Sequence, residues 1–107
     1  MAERTSETPI LDLLASMTAG SIEASSLDER SLMLVRIAAL VTADAPPASY
    51  LLNLGAAGEI GIGEDEVRGV LAAIAPIVGT ARIASAMGNI ARALGFAIEL
   101  AELEDDE

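Results

Sequence analysis

The segment from Leu32 to Val41 is apolar on nearly every side of a helix, and Arg36 is its one charged residue. A helix without a polar face is buried on most sides. The whole chain has 107 residues, of which 52% are hydrophobic, and most of these are Ala, Leu, Ile and Val. A single domain of this length has too little interior to hide so much aliphatic surface. The sequence therefore predicts association between copies of the chain.

Helix-capping and helix-breaking residues divide the chain into about five helices and no strands, which predicts an all-α fold in a single domain. Thr8 and Pro9 are typical of a helix start, and Ser26 with Glu29 forms a capping box. Asp44 is placed to cap the helix that begins at the following prolines. The predicted helices cover residues 8–20, 26–43, 46–59 and 81–101, and a further helix starts at residue 64 and is kinked or ended near Pro76.

The parts of this domain have different expected roles. We expect residues 1–7 to form a flexible leader and residues 8–20 to form a docking helix laid across the core. Residues 26–101 form the helical core, with all four remaining helices. Residues 102–107 form an acidic tail, which is expected to fray because negative charge opposes the helix dipole at a C-terminal end.

Charge and missing residue types exclude several classes of function. The net charge is −11, and every basic residue is Arg, so the chain repels phosphate backbones and anionic lipid. We therefore predict no nucleic-acid and no membrane partner. The chain has no Cys and no His, which removes disulfides, thiol catalysis and the usual zinc ligands. The polar, acidic N-terminus is not a signal peptide, and no apolar run could span a membrane, which predicts a cytoplasmic location.

Three segments carry a family resemblance: LDERSLMLVRIAALVTA, PASYLLNLGAAGEIG and GEDEVRGVLAAIAPIVGTARIASAMGNIARAL. With the short break between the first two, the pattern over residues 27–94 resembles the carboxymuconolactone decarboxylase family, which includes AhpD-like proteins. The resemblance implies an AhpD-like helical bundle subunit of bacterial type. It also implies a homo-oligomer, a trimer or a hexamer.

The reactive residues that this resemblance would imply are missing. The redox branch of the family shows a Glu, then Cys-x-x-Cys, then His one helical turn later. The corresponding positions hold Leu34, Pro46, Ser49 and Asn53. The decarboxylase branch would need a His as acid or base, and the chain has none. We therefore expect a degenerate active site, no cofactor, no metal site and no catalytic residue.

Five polar residues near the positions that lack the family's reactive residues form a candidate pocket: Arg36, Asp44, Ser49, Tyr50 and Asn53. Each has a structural interpretation as well, such as capping for Asp44, an interface contact for Tyr50, and a carboxylate pair for Arg36. A pocket at a helix N-terminus favours an anionic group. Ser49 lacks a His or Lys to activate it as a nucleophile. A second polar stripe is a predicted solvated or inter-subunit face, or an anion-binding strip: Arg82, Ser85, Asn89 and Arg92.

The leading prediction is a non-catalytic homo-oligomeric helical protein that acts as an assembly or interaction module. The alternative is a small-molecule binder or divergent lyase-like enzyme that uses the remnant pocket at residues 44–53. Its ligand would be a small carboxylate or lactone, oriented by an Arg and a carboxylate. A third possibility is an adaptor whose acidic tail recruits a basic protein.

Overall fold

The computed structural model describes the backbone of residues 7–105 and the side chains of residues 7–95. These residues form five α-helices and no strand, so the all-α prediction is confirmed. The helices are α1 (Pro9–Ala24), α2 (Glu29–Thr42), α3 (Pro47–Glu59), α4 (Glu64–Val78) and α5 (Thr80–Asp105). No helix within the described part of the chain combines the length and the hydropathy needed to cross a membrane.

Helix α2 is the centre of the bundle, since it packs against α3, α4 and α5. Its residues Ile37 and Val41 are fully buried, as the apolar pattern of this segment predicts. Ile37 lies in a cluster with buried residues of α3 and α4, and Val41 lies in a second cluster that reaches α5. The core is therefore built from four helices, and half-buried Leu54 and Ile90 contact both clusters.

Helix α1 is outside this bundle. It starts as predicted, with Thr8 at the N-cap and Pro9 at the first position, but it continues through Gly20 and ends at Ala24. None of its residues is buried, so α1 does not cross the core of its own copy, and its role as a docking helix stays a prediction. Gly20 is tolerated inside the helix at a cost of about 1 kcal/mol.

The predicted capping box at the start of α2 is wrong by two residues. Asp28 is the N-cap, and its carboxylate accepts a 2.7 Å hydrogen bond from the backbone N–H of Ser31. That hydrogen bond lowers the pKa of Asp28, because it stabilises the charged form. Ser26 does not cap this helix; instead the hydroxyl of Ser25 accepts from the N–H of Leu27.

Helix α5 runs longer than predicted, and α4 continues past Pro76, where the sequence predicts either a kink or an end. Helix α4 passes Pro76 and ends at Val78, and Gly79 takes a φ of 91° before α5 begins. Helix α5 extends to Asp105, so residues 102–105 of the predicted frayed tail are helical. Residues 106–107 of that tail and residues 1–6 of the predicted leader lie outside the described part of the chain.

Candidate functional site

The turn between α2 and α3 contains a backbone outlier at Asp44, whose φ is 57°. The N–H of Ala45 bonds to the carbonyl of Leu40, and the N–H of Asp44 bonds to the carbonyl of Val41. These two bonds form a Schellman motif, in which the residue at the left-handed position is usually glycine. Asp44 therefore ends α2 rather than capping α3, whose N-cap is Pro46 with no side-chain hydrogen bond.

The same chain contains a second Schellman motif with the usual residue. At the end of α3, Ile62 bonds back to Ala57 and Gly61 bonds back to Gly58, and Gly61 has a φ of 88°. The equivalent position after α2 holds a residue with a Cβ, which costs roughly 1–2 kcal/mol in this conformation, less for Asp and Asn than for others. Such strain persists where surrounding interactions hold it, and it clusters at functional positions.

The side chain of Asp44 supplies those interactions. The hydroxyl of Ser85 on α5 donates a 2.6 Å hydrogen bond to Oδ1 of Asp44. Nη1 of Arg82, one turn earlier on α5, lies 3.6 Å from Oδ2 of the same carboxylate. Asp44 thus ties the α2–α3 turn to α5 through both of its oxygens.

The polar stripe of α5 continues from this contact. Nδ2 of Asn89 lies 3.5 Å from the hydroxyl oxygen of Ser85, and Arg92 donates a 2.9 Å hydrogen bond to Oδ1 of Asn89. We call this set the polar cluster; its members are Asp44, Arg82, Ser85, Asn89 and Arg92. It brings one carboxylate and two guanidinium groups to one side of the bundle.

Tyr50 is buried beside this cluster. Its side chain is fully buried, and its hydroxyl has no hydrogen-bond partner among the described residues. Burial raises the pKa of Tyr50, and the negative charge of Asp44 raises it further. The phenol therefore holds its proton at neutral pH and can only act as a hydrogen-bond donor or acceptor there. An unpaired buried hydroxyl costs on the order of 1–3 kcal/mol.

The other predicted pocket residues have different partners. Nη2 of Arg36 donates a 3.1 Å hydrogen bond to the hydroxyl of Ser21, which links α2 to the last turn of α1. Nδ2 of Asn53 donates a 2.9 Å hydrogen bond to the carbonyl of Ser49, one turn earlier on α3. Within the described side chains, no hydrogen bond or ion pair joins Arg36 to the polar cluster. The structure thus brings Asp44 and Tyr50 together and adds Arg82 and Ser85.

The remaining arginines of the described segment form salt bridges elsewhere. Arg30 on α2 pairs with Glu66 on α4, and Arg68 pairs with Glu64 and Asp65 within α4. The hydrogen bond to Glu64 is the main reason that the pKa of Arg68 is raised. Within the polar cluster, Arg82 pairs with Asp44, whereas Arg92 bonds to the neutral amide of Asn89.

The arrangement could bind a polar ligand. Asp44 can accept a hydrogen bond from a ligand donor, and the arginines can pair with an anionic group. The sequence has no His, Cys or Lys. No group of three or more acidic side chains in the described region is placed to hold a metal ion. No family model, curated protein or solved structure matches the chain.

The surface also has apolar grooves away from the polar cluster. One of about 300 Å³ lies between the end of α1 and the α2–α3 face. Two smaller ones, of about 150 and 180 Å³, lie against α3 and α5 and share Leu54 and Leu94. These grooves are lined mainly by aliphatic side chains, so they suit another apolar surface rather than a small polar ligand.

Proposed function

We propose that this chain is a non-catalytic homo-oligomeric helical protein that acts as an assembly or interaction module. The exposed apolar side chains of the described helices carry this proposal. No residue of α1 is buried in a single copy of the chain. Six large hydrophobic side chains of that helix are exposed: Ile10, Leu11, Leu13, Leu14, Met17 and Ile22.

The exposed surface has the chemistry of a subunit interface. Large hydrophobic side chains are exposed on all five helices, and the most exposed are Leu52 at 77% and Ile77 at 85%. Half of these exposed side chains lie on α1, and several large apolar side chains on one helix offer an interaction surface.

Two sequence features support the same proposal. The chain lacks Cys and His, so it lacks the residues that would perform thiol or imidazole chemistry. The pattern of residues 27–94 also resembles the carboxymuconolactone decarboxylase family, whose members assemble as trimers or hexamers. We propose that the chain is a subunit of that type, which still assembles although it lacks the reactive Cys and His residues of the family.

Light scattering coupled to size-exclusion chromatography tests this proposal at micromolar concentration. The expected mass is a whole multiple of 10.9 kDa, with three or six chains in the particle. A monodisperse particle of one chain at about 100 μM would overturn the proposal, since obligate interfaces hold together at that concentration. A hydrolase or lyase activity retained by the purified oligomer would instead overturn the non-catalytic part alone.

A second candidate function is binding of a small carboxylate or lactone at the polar cluster. The guanidinium groups of Arg82 and Arg92 favour it, because both are exposed on one face of α5 and could pair with an anionic group. Tyr50 is the only tyrosine and the chain has no Trp, so its fluorescence reports on this site alone. Binding should change that signal, and Arg82→Ala should abolish the change. Arg36→Ala is the matched control, since Arg36 bonds to α1 instead.

A further inference from the structure

The exposed face of α1 has the spacing of a docking helix. Its residues Ile10, Leu13, Leu14 and Met17 follow the i, i+3, i+4, i+7 pattern of one helix face, and each is at least half exposed. This is the pattern by which an amphipathic helix lays its apolar side into a groove. The helix has 16 residues, so it is about 24 Å long and presents a continuous apolar edge.

The charge of α1 limits what can cover that face. Its charged residues are Asp12 and Glu23, and it has no basic residue. Helices that lie on membrane surfaces carry Lys and Arg on their polar face. The chain as a whole has a net charge of −11, which opposes anionic lipid and acidic partners. The face therefore suits a largely uncharged, aliphatic protein groove.

Such a groove exists on the chain itself, and α1 barely reaches it. Its lining is apolar apart from one acidic residue, Glu29, and the apolar members are Ile22, Leu27, Leu32, Met33, Ala56 and Ile60. Only Ile22, in the last turn of α1, belongs to that helix. The hydrogen bond from Arg36 to Ser21 holds the same turn against α2, so the first three turns extend beyond the groove. Because a helix of this length is stiff, α1 cannot fill the groove of its own chain without leaving that contact.

We infer that α1 docks into the α2–α3 groove of a second copy of this chain. This inference rests on the proposed homo-oligomer and names the element that forms it. Each copy offers one apolar helix and one apolar groove, so every copy can give one contact and receive another. The exchange would cover the exposed leucines of α1 and the apolar lining of the groove at once.

Four variants and the unmodified chain test the inference by light scattering across a dilution series. Leu13→Gln with Leu14→Gln removes the apolar edge, and Ala19→Gln alters the opposite face of α1 as its control. Ala56→Trp fills the groove from an exposed position, and Ala48→Trp is its control on the same helix. We expect the first and third variants to raise the dissociation constant at least about 100-fold, while both controls match the unmodified chain.

The possible outcomes separate this inference from the proposed function. An unmodified chain that stays a monomer overturns both. An oligomer that survives both Leu13→Gln/Leu14→Gln and Ala56→Trp overturns the α1 contact and leaves the oligomer standing. Loss of assembly in only one of those two variants overturns the pairing of this helix with this groove.

Cross-linking provides a readout that does not depend on how the bulky variants fold. The chain has no Cys, so each introduced thiol is unique. Chains with Leu14→Cys are mixed with chains with Ala56→Cys and oxidised. A covalent pair containing one chain of each kind supports the inference. A chain that carries both substitutions is oxidised as well. If a disulfide forms only within that chain, α1 folds onto its own bundle and the inference is overturned. The absence of any disulfide also overturns the inference.

Discussion

The hydroxyl of Ser85 donates a 2.6 Å hydrogen bond to Oδ1 of Asp44, which joins α5 to the turn between α2 and α3 across 41 positions of the sequence. Asp44 holds a left-handed backbone conformation that Gly61 provides without strain in the matching turn after α3. Glycine would adopt this backbone conformation without strain, and the contacts of the Asp44 carboxylate explain why an aspartate occupies the position instead.

A double-mutant cycle should detect this contact. Asp44→Ala, Ser85→Ala and the combination of both measure it through urea denaturation. The cycle should give a coupling energy of roughly 0.5–1.5 kcal/mol, the net contribution of one such hydrogen bond. Asp44→Asn alone should cost less than Asp44→Ala, because Asn keeps an acceptor oxygen and tolerates the left-handed conformation. A coupling of zero between the two alanine substitutions would show that the contact does not stabilise the fold.

The left-handed backbone at Asp44 predicts an order of stability among substitutions at that position. Asp44→Gly relieves strain while losing the hydrogen bond, and Asp44→Ala loses the hydrogen bond and keeps the strain. Asp44→Ala should therefore be the less stable by about 1 kcal/mol. Gly61→Ala is the comparison in a turn with open space around the added Cβ, and it should lose about 1–2 kcal/mol from strain alone. Equal stability of Asp44→Gly and Asp44→Ala in urea denaturation would contradict the left-handed backbone at this position.

The fold follows from local sequence signals, whereas the site depends on long-range packing. Prolines and acidic first turns place the helix starts of α1, α3 and α4 within one or two residues. The polar cluster joins a turn and a helix 41 residues apart, and no local spacing encodes that contact. A carboxylate before two prolines is typical of an N-cap, and only the backbone shows that Asp44 closes the preceding helix instead.

Helix α1 shows a second limit of local reasoning. Its apolar residues have the spacing of a docking helix, but spacing does not say which surface the helix meets. Gly20 is typical of a C-cap, yet the helical hydrogen bonds continue past it. The N–H of Ser25 still donates a hydrogen bond to the carbonyl of Ser21. A glycine ends a helix only when the chain after it turns away, which depends on the packing of the next segment.

The alkaline stability of the protein should be governed by Tyr50. Its pKa is raised above 10.0 by burial and by Asp44, while the unfolded chain titrates near that ordinary value. Above pH 10 the unfolded state loses the proton first, so the folded state holds more protons and stability falls as pH rises. The chain has no Lys or Cys, so no other side chain titrates in this range. Tyr50→Phe should remove this decline in the free energy of unfolding.

Absorbance of the phenolate gives the pKa of Tyr50 directly, because it is the only tyrosine. The midpoint for the folded protein should lie above 10.0, and the midpoint in concentrated urea should return toward it. Asp44→Asn should lower the folded midpoint, since it removes the neighbouring negative charge that raises this pKa. A folded midpoint at or below that of the unfolded chain would contradict the burial of the hydroxyl.

Asp28 predicts a loss of stability as pH falls into the acidic range, opposite to the alkaline loss predicted for Tyr50. Its pKa is lowered below 3.8, chiefly by the hydrogen bond from the N–H of Ser31. The folded state therefore binds fewer protons than the unfolded state as pH falls below 3.8. The stability that Asp28 contributes is present above that range and is lost as pH falls through the folded pKa.

Asp28→Asn isolates this contribution, because it keeps the cap but cannot titrate. The difference in the free energy of unfolding between the unmodified chain and Asp28→Asn should shrink between about pH 5 and pH 2, as urea denaturation can measure. Asp28→Ala serves as the comparison, because it removes the cap and should stay less stable than Asp28→Asn at every pH. A difference that does not change with pH would mean that the Ser31 hydrogen bond does not favour the charged carboxylate.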